Sequence, residues 1–324
     1  MLRTALCPVL GIEHPIIQGP LGGPWPPSVG LAAAVSEAGA LGSLPTTLRR
    51  PEQVREDAAR LRDLTSRPFA INHTMRPFVE EVFQVILDAA PSVISFALGR
   101  SPEIIKRAHD AGALFVQQVH SVDQAVRAAE DGADVIIAQG GEAGGFGGAP
   151  GTIVLVPQVA EAVHPIPVVA AGGIGDGRGL AAALALGATG VNVGTRFLGS
   201  VEAEIDEEWK QAILAAHSQE TTRASFVNQL VPPPSPGAFE VAPRVLRTPF
   251  IQQWLGRDEE VTLQREGLVG ELTAAMQAGR AHQLLPITGE VAGMVKEILP
   301  AGEIVRRMVA DAETAVHNAA ALIR

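Results

Sequence analysis

Cysteine is almost absent from this sequence: Cys7 is the single one in 324 residues. One thiol excludes a disulfide framework and a metal site built from several thiolates, and we predict no metal site. Cys7 also lies near the N-terminus, away from the end of any candidate strand. We therefore interpret it as an incidental thiol, which argues against a barrel oxidoreductase with a loop cysteine as its nucleophile.

Dense runs of basic residues are missing as well. The chain has 25 Lys and Arg against 35 Asp and Glu, a formal net charge of −10, which argues against a nucleic-acid groove. No positively charged segment followed by an apolar one opens the sequence, and no apolar run approaches the ~20 residues of a membrane span. We expect a cytoplasmic protein that binds neither nucleic acid nor membranes.

Short apolar segments, by contrast, recur roughly every 20–30 residues, with a helix-like segment after each, as in repeated βα units. Eight candidate strands occupy 15–18, 40–44, 68–72, 92–97, 114–119, 134–139, 167–171 and 189–193. A doubly wound fold would place its dinucleotide loop after the first strand. Here that turn reads Gln18-Gly19-Pro20-Leu21-Gly22-Gly23 and prolines follow it, so we predict a (β/α)8 TIM barrel.

The remaining length predicts an insertion, because a bare barrel needs only ~250 residues. With 47% hydrophobic residues, the chain can bury a large core. After the eighth strand, 201–218 is helical in character, and the proline-rich 231–237 cannot be regular structure. We predict a barrel from 1–205 and 286–324 and a small helical lid at 206–285, with Phe250 and Trp254 in the core of the lid.

Three glycine turns follow candidate strands. The segment 139–148 holds six glycines in ten residues, and the other two turns carry Gly172-Gly173 and Gly194-Thr195. Exposed backbone N–H groups at two adjacent turns form a nest suited to a phosphate. In an eight-stranded barrel the loops after strands seven and eight commonly hold such a group.

Together these segments resemble the nitronate monooxygenase family, also called 2-nitropropane dioxygenases. FMN-dependent enoyl-ACP reductases are relatives on the same scaffold. The resemblance covers nearly the whole chain in the right order. It rests on Glu13-His14-Pro15-Ile16-Ile17-Gln18-Gly19, Asn72, Ala138-Gln139-Gly140-Gly141-Glu142-Ala143-Gly144-Gly145, Ala171-Gly172-Gly173-Ile174, Asn192-Val193-Gly194-Thr195-Arg196-Phe197 and Gly289-x-x-x-Gly293.

The resemblance implies an FMN-binding oxidoreductase that acts on a small molecule, with O2 as acceptor or NAD(P)H as electron donor. The phosphate would lie near Gly172, Gly173, Gly194 and Thr195. The full set of implied cofactor contacts is Gln18, Gly19, Asn72, Gln118, Gln139, Gly144, Gly172, Gly173, Asn192, Val193, Gly194, Thr195, Gly293 and Met294. Pro20 and Phe146 are the implied substrate contacts.

Two departures from the family pattern affect the chemistry. Phe146 stands where nitronate-denitrating members carry a histidine, so any acid or base must come from elsewhere. Gln117-Gln118 stands where relatives often place a lysine near the electron-rich edge of the flavin. A neutral amide stabilises an anionic reduced flavin less than an ammonium does, so the flavin potential would be lower here.

Replacement bases are few, and the catalytic residue stays unassigned. His73 and His120 are weak candidates, since both follow candidate strands. We interpret Glu142 as holding loop amides, Asp176 and Arg178 as a helix N-terminus beside the phosphate, and Arg196 as the partner of an anion or carboxylate.

Three functions fit this sequence. The first is oxidation of a small nitronate or similar carbanion with O2, and the second is NAD(P)H-dependent reduction of an enoyl thioester or quinone. The third is flavin binding with lost or redirected activity. The physiological substrate, the electron donor and the oligomeric state, including a homodimer, remain open at this point.

Overall fold

The computed structural model describes residues 2–21, 28–231 and 233–323. The first glycine–proline turn, from Gly22 onward, therefore lies largely outside the described residues, and so does Pro232 of the proline-rich segment.

Eight parallel strands form a barrel, as predicted. They are β1 (Ile16–Gln18), β2 (Gly42–Pro45), β3 (Phe69–Thr74), β4 (Val93–Ala97), β5 (Leu114–Val119), β6 (Val135–Gln139), β8 (Val168–Ala171) and β9 (Gly190–Val193), while β7 (Gly145–Gly147) lies outside the barrel. The strand order is β1-β9-β8-β6-β5-β4-β3-β2. A parallel bridge between Ile17 and Leu41 joins the two end strands and closes the barrel.

The barrel is filled with apolar side chains at its amino-terminal end. Ile17, Ala70, Val116 and Val169 belong to one buried cluster. The short helix α1 (Leu6–Leu10) contributes Leu6 to the same cluster. Because this end is packed, an open site can form only at the carboxyl ends of the strands, where barrels carry their active sites.

Helices cover the outside of the barrel. They are α2 (Val29–Glu37), α3 (Pro51–Leu64), α4 (Glu80–Asp88), α5 (Pro102–Asp110), α6 (Val122–Glu130), α7 (Thr152–Ala162), α8 (Gly177–Ala185), the short α9 (Thr195–Leu198) and, at the end of the chain, α14 (Ala301–Ala320). A Cβ on Gly177 would lie 2.3 Å from the backbone nitrogen of Ala312. Gly177 therefore allows α14 to pack directly against α8.

Residues 206–285, which we call the capping segment, contain helices and also two strands. They hold α10 (Glu207–Ala215), β10 (Thr221–Arg223), β11 (Ala242–Leu246), α11 (Pro249–Trp254), α12 (Asp258–Leu263) and α13 (Arg265–Gln277). The predicted helices are present, but β10 and β11, which were not predicted, pair with β7 in a three-stranded antiparallel sheet. The helix predicted at 201–218 is also shorter than expected.

The capping segment has an apolar cluster of its own. Phe226, Val245, Phe250 and Trp254 are buried in it, as expected for Phe250 and Trp254. Residues 233–235 have no regular structure, and the preceding short 3-10 helix ends at Gln229. Among the residues that the structure describes, no helix is both long enough and apolar enough to cross a membrane.

Candidate active site

A cavity of about 280 Å³ opens at the carboxyl ends of the barrel strands, beneath the capping segment. Most of the residues implied by the family resemblance line it. They are Gly19, Pro20, Asn72, Gln118, Gln139, Gly144, Phe146, Gly172, Gly173, Asn192, Gly194 and Thr195. The barrel topology therefore brings segments from along the whole chain to one opening.

Four of the implied contacts are not among the cavity's lining residues. Gln18 is 1% exposed, and its side chain bonds to the backbone of Gly19 and Ser43. Val193 is buried within β9. A Cβ on Gly293 would lie 2.5 Å from Ser218 Oγ, and Met294 is 39% exposed. The late glycine that reaches the cavity is Gly289 instead.

Amide side chains form one wall of the cavity. Asn72 Nδ2 donates to the backbone oxygen and to Oγ of Ser95, at 3.2 and 3.1 Å. Gln118 Nε2 donates to Gln139 Oε1 at 2.8 Å. These bonds fix the amides on β3, β5 and β6 without adding charge, so the wall presents neutral donors and acceptors to a ligand.

Glycine turns at the carboxyl ends of β8 and β9 form another part of the cavity lining. Gly172 and Gly173 have φ of +100° and +71°, a backbone conformation that favours glycine. A Cβ on Gly194 would meet no atom of the described residues within 4 Å. Asn192 Oδ1 is buried and has no hydrogen-bond partner among the described residues. The cavity beside these turns can hold a polar or anionic group close to the backbone.

Three loops meet where Gly144 contacts Gly289 beside Thr195. A Cβ on Gly144 would lie 2.6 Å from the backbone nitrogen of Gly289. That nitrogen donates to Thr195 Oγ1 at 2.9 Å, and the next residue, Glu290, donates its backbone N–H to the Glu142 oxygen at 3.0 Å. Only glycine at both positions permits this approach.

The glycine-rich loop that carries Phe146 is held by arginines of the capping segment. Phe146 lies in β7, opposite Pro243 of β11. Arg223 Nη1 donates to the Gly147 oxygen at 2.8 Å, and Arg244 Nε donates to the Gly141 oxygen at 3.0 Å. Part of the loop is thus a strand, and hydrogen bonds from the capping segment fix its position.

One positive charge lies beside Phe146. The guanidinium carbon of Arg76 is 5.0 Å from the centroid of the Phe146 ring. Arg76 Nη2 donates to Asn228 Oδ1 at 3.1 Å, while its buried Nε has no partner among the described residues. Burial lowers the pKa of Arg76, and no acidic group is among the causes of that shift. An arginine nevertheless stays charged in proteins, so the cavity favours an anion here.

The match of the sequence to a family model decides the family. The model described as nitronate monooxygenase matches residues 3–82 and 73–311. The chain belongs to the nitronate monooxygenase family. Relatives of this nitronate monooxygenase family member carry the names monooxygenase, dehydrogenase and oxidase, and the chain is an oxidoreductase enzyme.

Its curated relatives include a nitronate monooxygenase and two CoA-ester dehydrogenases. A nitronate monooxygenase of Paraburkholderia phytofirmans is 33% identical over 70% of this chain and 74% of the relative. Two others are named (3aS,4S,5R,7aS)-5-hydroxy-7a-methyl-1-oxo-octahydro-1H-indene-4-carboxyl-CoA dehydrogenase. The one from Mycobacterium tuberculosis is 30% identical over 99% of both chains. The one from Rhodococcus jostii is 38% identical over 68% of this chain, a match that spans only 62% of that relative.

Two solved structures are similar to this chain over nearly its whole length. FabK from Thermotoga maritima is 34% identical, with a TM-score of 0.90 over 100% of both chains. A nitroalkane oxidase from Streptomyces ansochromogenes is 29% identical, with a TM-score of 0.83 over 97% of this chain and 99% of the other.

The two histidines considered as bases do not line the cavity of this family member. His73 is 2% exposed; its Nε2 accepts from Val79 N at 3.3 Å, and its Nδ1 lies 2.8 Å from Thr46 Oγ1. His120 is 3% exposed. Burial lowers the pKa of each to about 4. Both are therefore neutral at pH 7, and neither is among the described residues that line the cavity.

The remaining charged candidates have structural roles. Glu142 accepts from Thr152 N and Thr152 Oγ1, at 3.0 and 2.8 Å, and so holds the start of α7. Asp176 caps α8 and pairs with Arg178. Arg196 is buried and donates to the backbone oxygens of Gly199 and Glu297, both at 3.3 Å. Its expected role as the partner of an anion or carboxylate stays a prediction.

Sequence reasoning missed Arg76 and the walls that the capping segment contributes. Arg76 lies two residues beyond β3, at the end of the barrel where function is expected, and that position could have identified it. The capping residues are brought to the cavity by tertiary packing alone. They are Trp209, Val227, Val231, Leu272, Met276, Ala281 and Leu285.

Proposed function

We propose that this protein binds FMN non-covalently and oxidises a small anionic carbon acid, such as a preformed nitronate, with O2 as the acceptor. The observation that carries the proposal is Arg76. Among the described lining residues, Arg76 and Glu142 are the charged ones, and Glu142 is engaged by Thr152. The cavity thus offers a substrate one cation, beside Phe146.

The lining residues fit FMN. Gly172, Gly173 and Gly194 form turns that a phosphate can approach, and the unpartnered Asn192 Oδ1 supplies an acceptor beside them. Asn72, Gln118 and Gln139 supply neutral amide contacts for an isoalloxazine ring. A bound flavin would accept electrons from the substrate and pass them to O2.

The side chains of this enzyme would bind and orient the substrate. Arg76 would hold its negative charge, and Phe146 would pack on its apolar part. The capping segment would exclude water, since its lining residues are largely apolar. We propose that 206–285 serves as this lid.

Among the cavity-lining residues that the structure describes, none is a histidine that could remove a proton from a neutral nitroalkane. Phe146 replaces the family's histidine, while His73 and His120 lie outside the lining. A nitronate is already deprotonated, so its oxidation needs no such base. We therefore propose that preformed nitronates are better substrates than neutral nitroalkanes.

Reduction of an enoyl thioester or quinone by NAD(P)H is the second candidate. The apolar side chains of Val227, Leu272 and Leu285 over the cavity favour it, because they suit an apolar acceptor. The CoA thioester in the name of two relatives also supports it.

Anaerobic mixing of the purified flavoprotein with propionate-3-nitronate, NADH and NADPH in turn tests the proposal. We expect the nitronate to bleach the flavin absorbance within seconds and the nicotinamides to act slowly. Rapid bleaching by NADH or NADPH alone would establish the reductase instead. Failure of all three donors would indicate that the activity has been lost or redirected.

A further inference from the structure

Three potential metal ligands meet where the capping segment begins and ends. Asp206 and Glu208 lie at the start of α10, and His282 lies in the 3-10 helix Ala281–Gln283. One ligand atom from each lies within 4.8 Å of the others. This cluster lies outside the cavity described above, since none of the three residues lines it.

His282 provides the observation that points to a ligand. The residue is 8% exposed, and its Nε2 is buried without a hydrogen-bond partner among the described residues. Nε2 lies 3.7 Å from Asp206 Oδ1 and 3.7 Å from Glu208 Oε2. Both distances exceed a hydrogen bond. A buried nitrogen aimed between two carboxylates is therefore left unsatisfied, which is costly unless something lies between them.

A divalent cation satisfies all three groups at once. Zinc–ligand distances of about 2.0–2.2 Å in tetrahedral geometry place neighbouring ligands roughly 3.3–3.5 Å apart, close to the separations found here. We propose that Asp206, Glu208 and His282 bind a divalent cation of the zinc class. The side chains of Asp206 and Glu208 are 40% and 75% exposed, which leaves room for a water molecule as fourth ligand.

Neighbouring groups already orient the ligands. Asp206 Oδ1 accepts from Glu208 N at 2.8 Å and so is fixed as the N-cap of α10. The Trp209 ring stacks on His282, with 6.4 Å between centroids and 9° between planes. Metal-ligating histidines depend on such support for their orientation.

The cation would join the two ends of the capping segment. Trp209 connects this point to the cavity, because it lines the cavity and its Nε1 donates to Thr288 Oγ1 at 3.1 Å. Binding would thus stabilise the closed arrangement of the capping segment over the barrel. This inference does not depend on which substrate the enzyme uses.

The test uses the full-length flavoprotein after treatment with a chelating resin. Zinc chloride is titrated by calorimetry, and zinc is counted by mass spectrometry after desalting. We expect one zinc per chain and a melting temperature that rises with zinc concentration. His282→Gln and Asp206→Asn should each weaken binding by at least about tenfold. Asn at 206 can still cap α10, so that variant should fold even where His282→Gln does not.

Glu207→Gln is the matched control, because Glu207 is the neighbouring exposed carboxylate on α10 and lies outside the cluster. Its zinc affinity should stay within about twofold of the parent protein. Fewer than one zinc per chain in the parent protein, or equal binding by the parent protein, His282→Gln and Asp206→Asn, would overturn the proposal.

Discussion

The Arg76 guanidinium carbon lies 5.0 Å from the centroid of the Phe146 ring, within the range of a cation–π contact. Phe146 stands where the family resemblance implies a histidine, and Arg76 lies beside it. A fixed positive charge and an aromatic surface can bind an anion, but neither can accept a proton. The substrate would therefore bind as an anion. Substitutions of Phe146 and Arg76 test this.

Replacing Phe146 with histidine should restore a proton acceptor at this position. A positioned general base typically contributes ~10²–10⁴-fold to a proton-transfer step. We expect Phe146→His to raise kcat/KM for neutral nitroalkanes and to change kcat/KM for preformed nitronates far less. Steady-state oxygen consumption with a neutral nitroalkane and with its preformed nitronate measures the two kcat/KM values.

Phe146→Leu is the matched control, since it changes the shape of the side chain without adding a base. An equal response of both substrates to Phe146→His, or none while FMN stays bound, would mean that Phe146 is not at the reacting centre.

Replacing Arg76 with methionine should weaken the binding of an anionic substrate. Hydrogen bonds to charged groups contribute about 1.5–3 kcal/mol, so we expect KM for a nitronate to rise about 10–100-fold. Arg62→Met, on the exposed face of α3, removes the same charge away from the cavity and should leave KM unchanged. Unchanged KM in both variants would remove Arg76 from the site. Flavin content should be measured alongside to confirm that the cofactor is retained.

The contact between Gly144 and Gly289 predicts a sharp contrast between two alanine substitutions. In Gly144→Ala the new Cβ would lie 2.6 Å from the Gly289 nitrogen, and such overpacking costs about 1–3 kcal/mol or more. Gly270→Ala, in α13 with open space around it, should instead stabilise the protein by about 0.4–1 kcal/mol. Chemical denaturation measures both changes. Equal effects would mean that the two loops are not in contact.

The buried histidines predict a loss of stability in mild acid. Burial lowers the pKa of His73 and His120 from 6.5 to about 4, so the unfolded chain binds more protons between those values. The free energy of unfolding is therefore unaffected by this pKa shift above about pH 6.5 and decreases as the pH falls towards 4. The decrease is of the order of 3 kcal/mol per histidine.

His120→Gln should reduce the slope of unfolding free energy against pH in this range by about one proton. His317→Gln, at an exposed position on α14, should leave the slope unchanged. A slope identical in His120→Gln and the parent protein would show that His120 titrates normally in the folded state.

Local patterns were sufficient to predict the barrel. Each strand is a short apolar segment that ends at a turn, and this signal depends on neighbouring residues alone. The pairing of β10 and β11 with β7 was missed because it joins segments far apart in sequence. Gly289 and Gly293 look alike locally. Only packing against Gly144 or Ser218 decides which of them approaches the cavity.

The chemistry of the site was harder to predict than its position. Glycine turns and amides after strands indicate where a cofactor fits, because barrels place ligands there. The charge of the cavity depends on Arg76 having no acidic partner, and that can be seen only in three dimensions. His282 was missed for the same reason, since its neighbours Asp206 and Glu208 lie at the other end of the capping segment.

The most direct test of the account is the flavin content of the parent protein and of Gly194→Val. The Cβ of a side chain at 194 would meet no atom of the described residues within 4 Å, but the side chain would enter the space assigned to the phosphate. Gly267→Val, equally unobstructed but on α13 and away from the cavity, is the control. We expect one FMN per chain in the parent and in Gly267→Val, and little FMN in a folded Gly194→Val. Two results would contradict the proposed FMN site. One is FAD or no flavin in the parent protein after reconstitution, and the other is full retention of FMN by Gly194→Val.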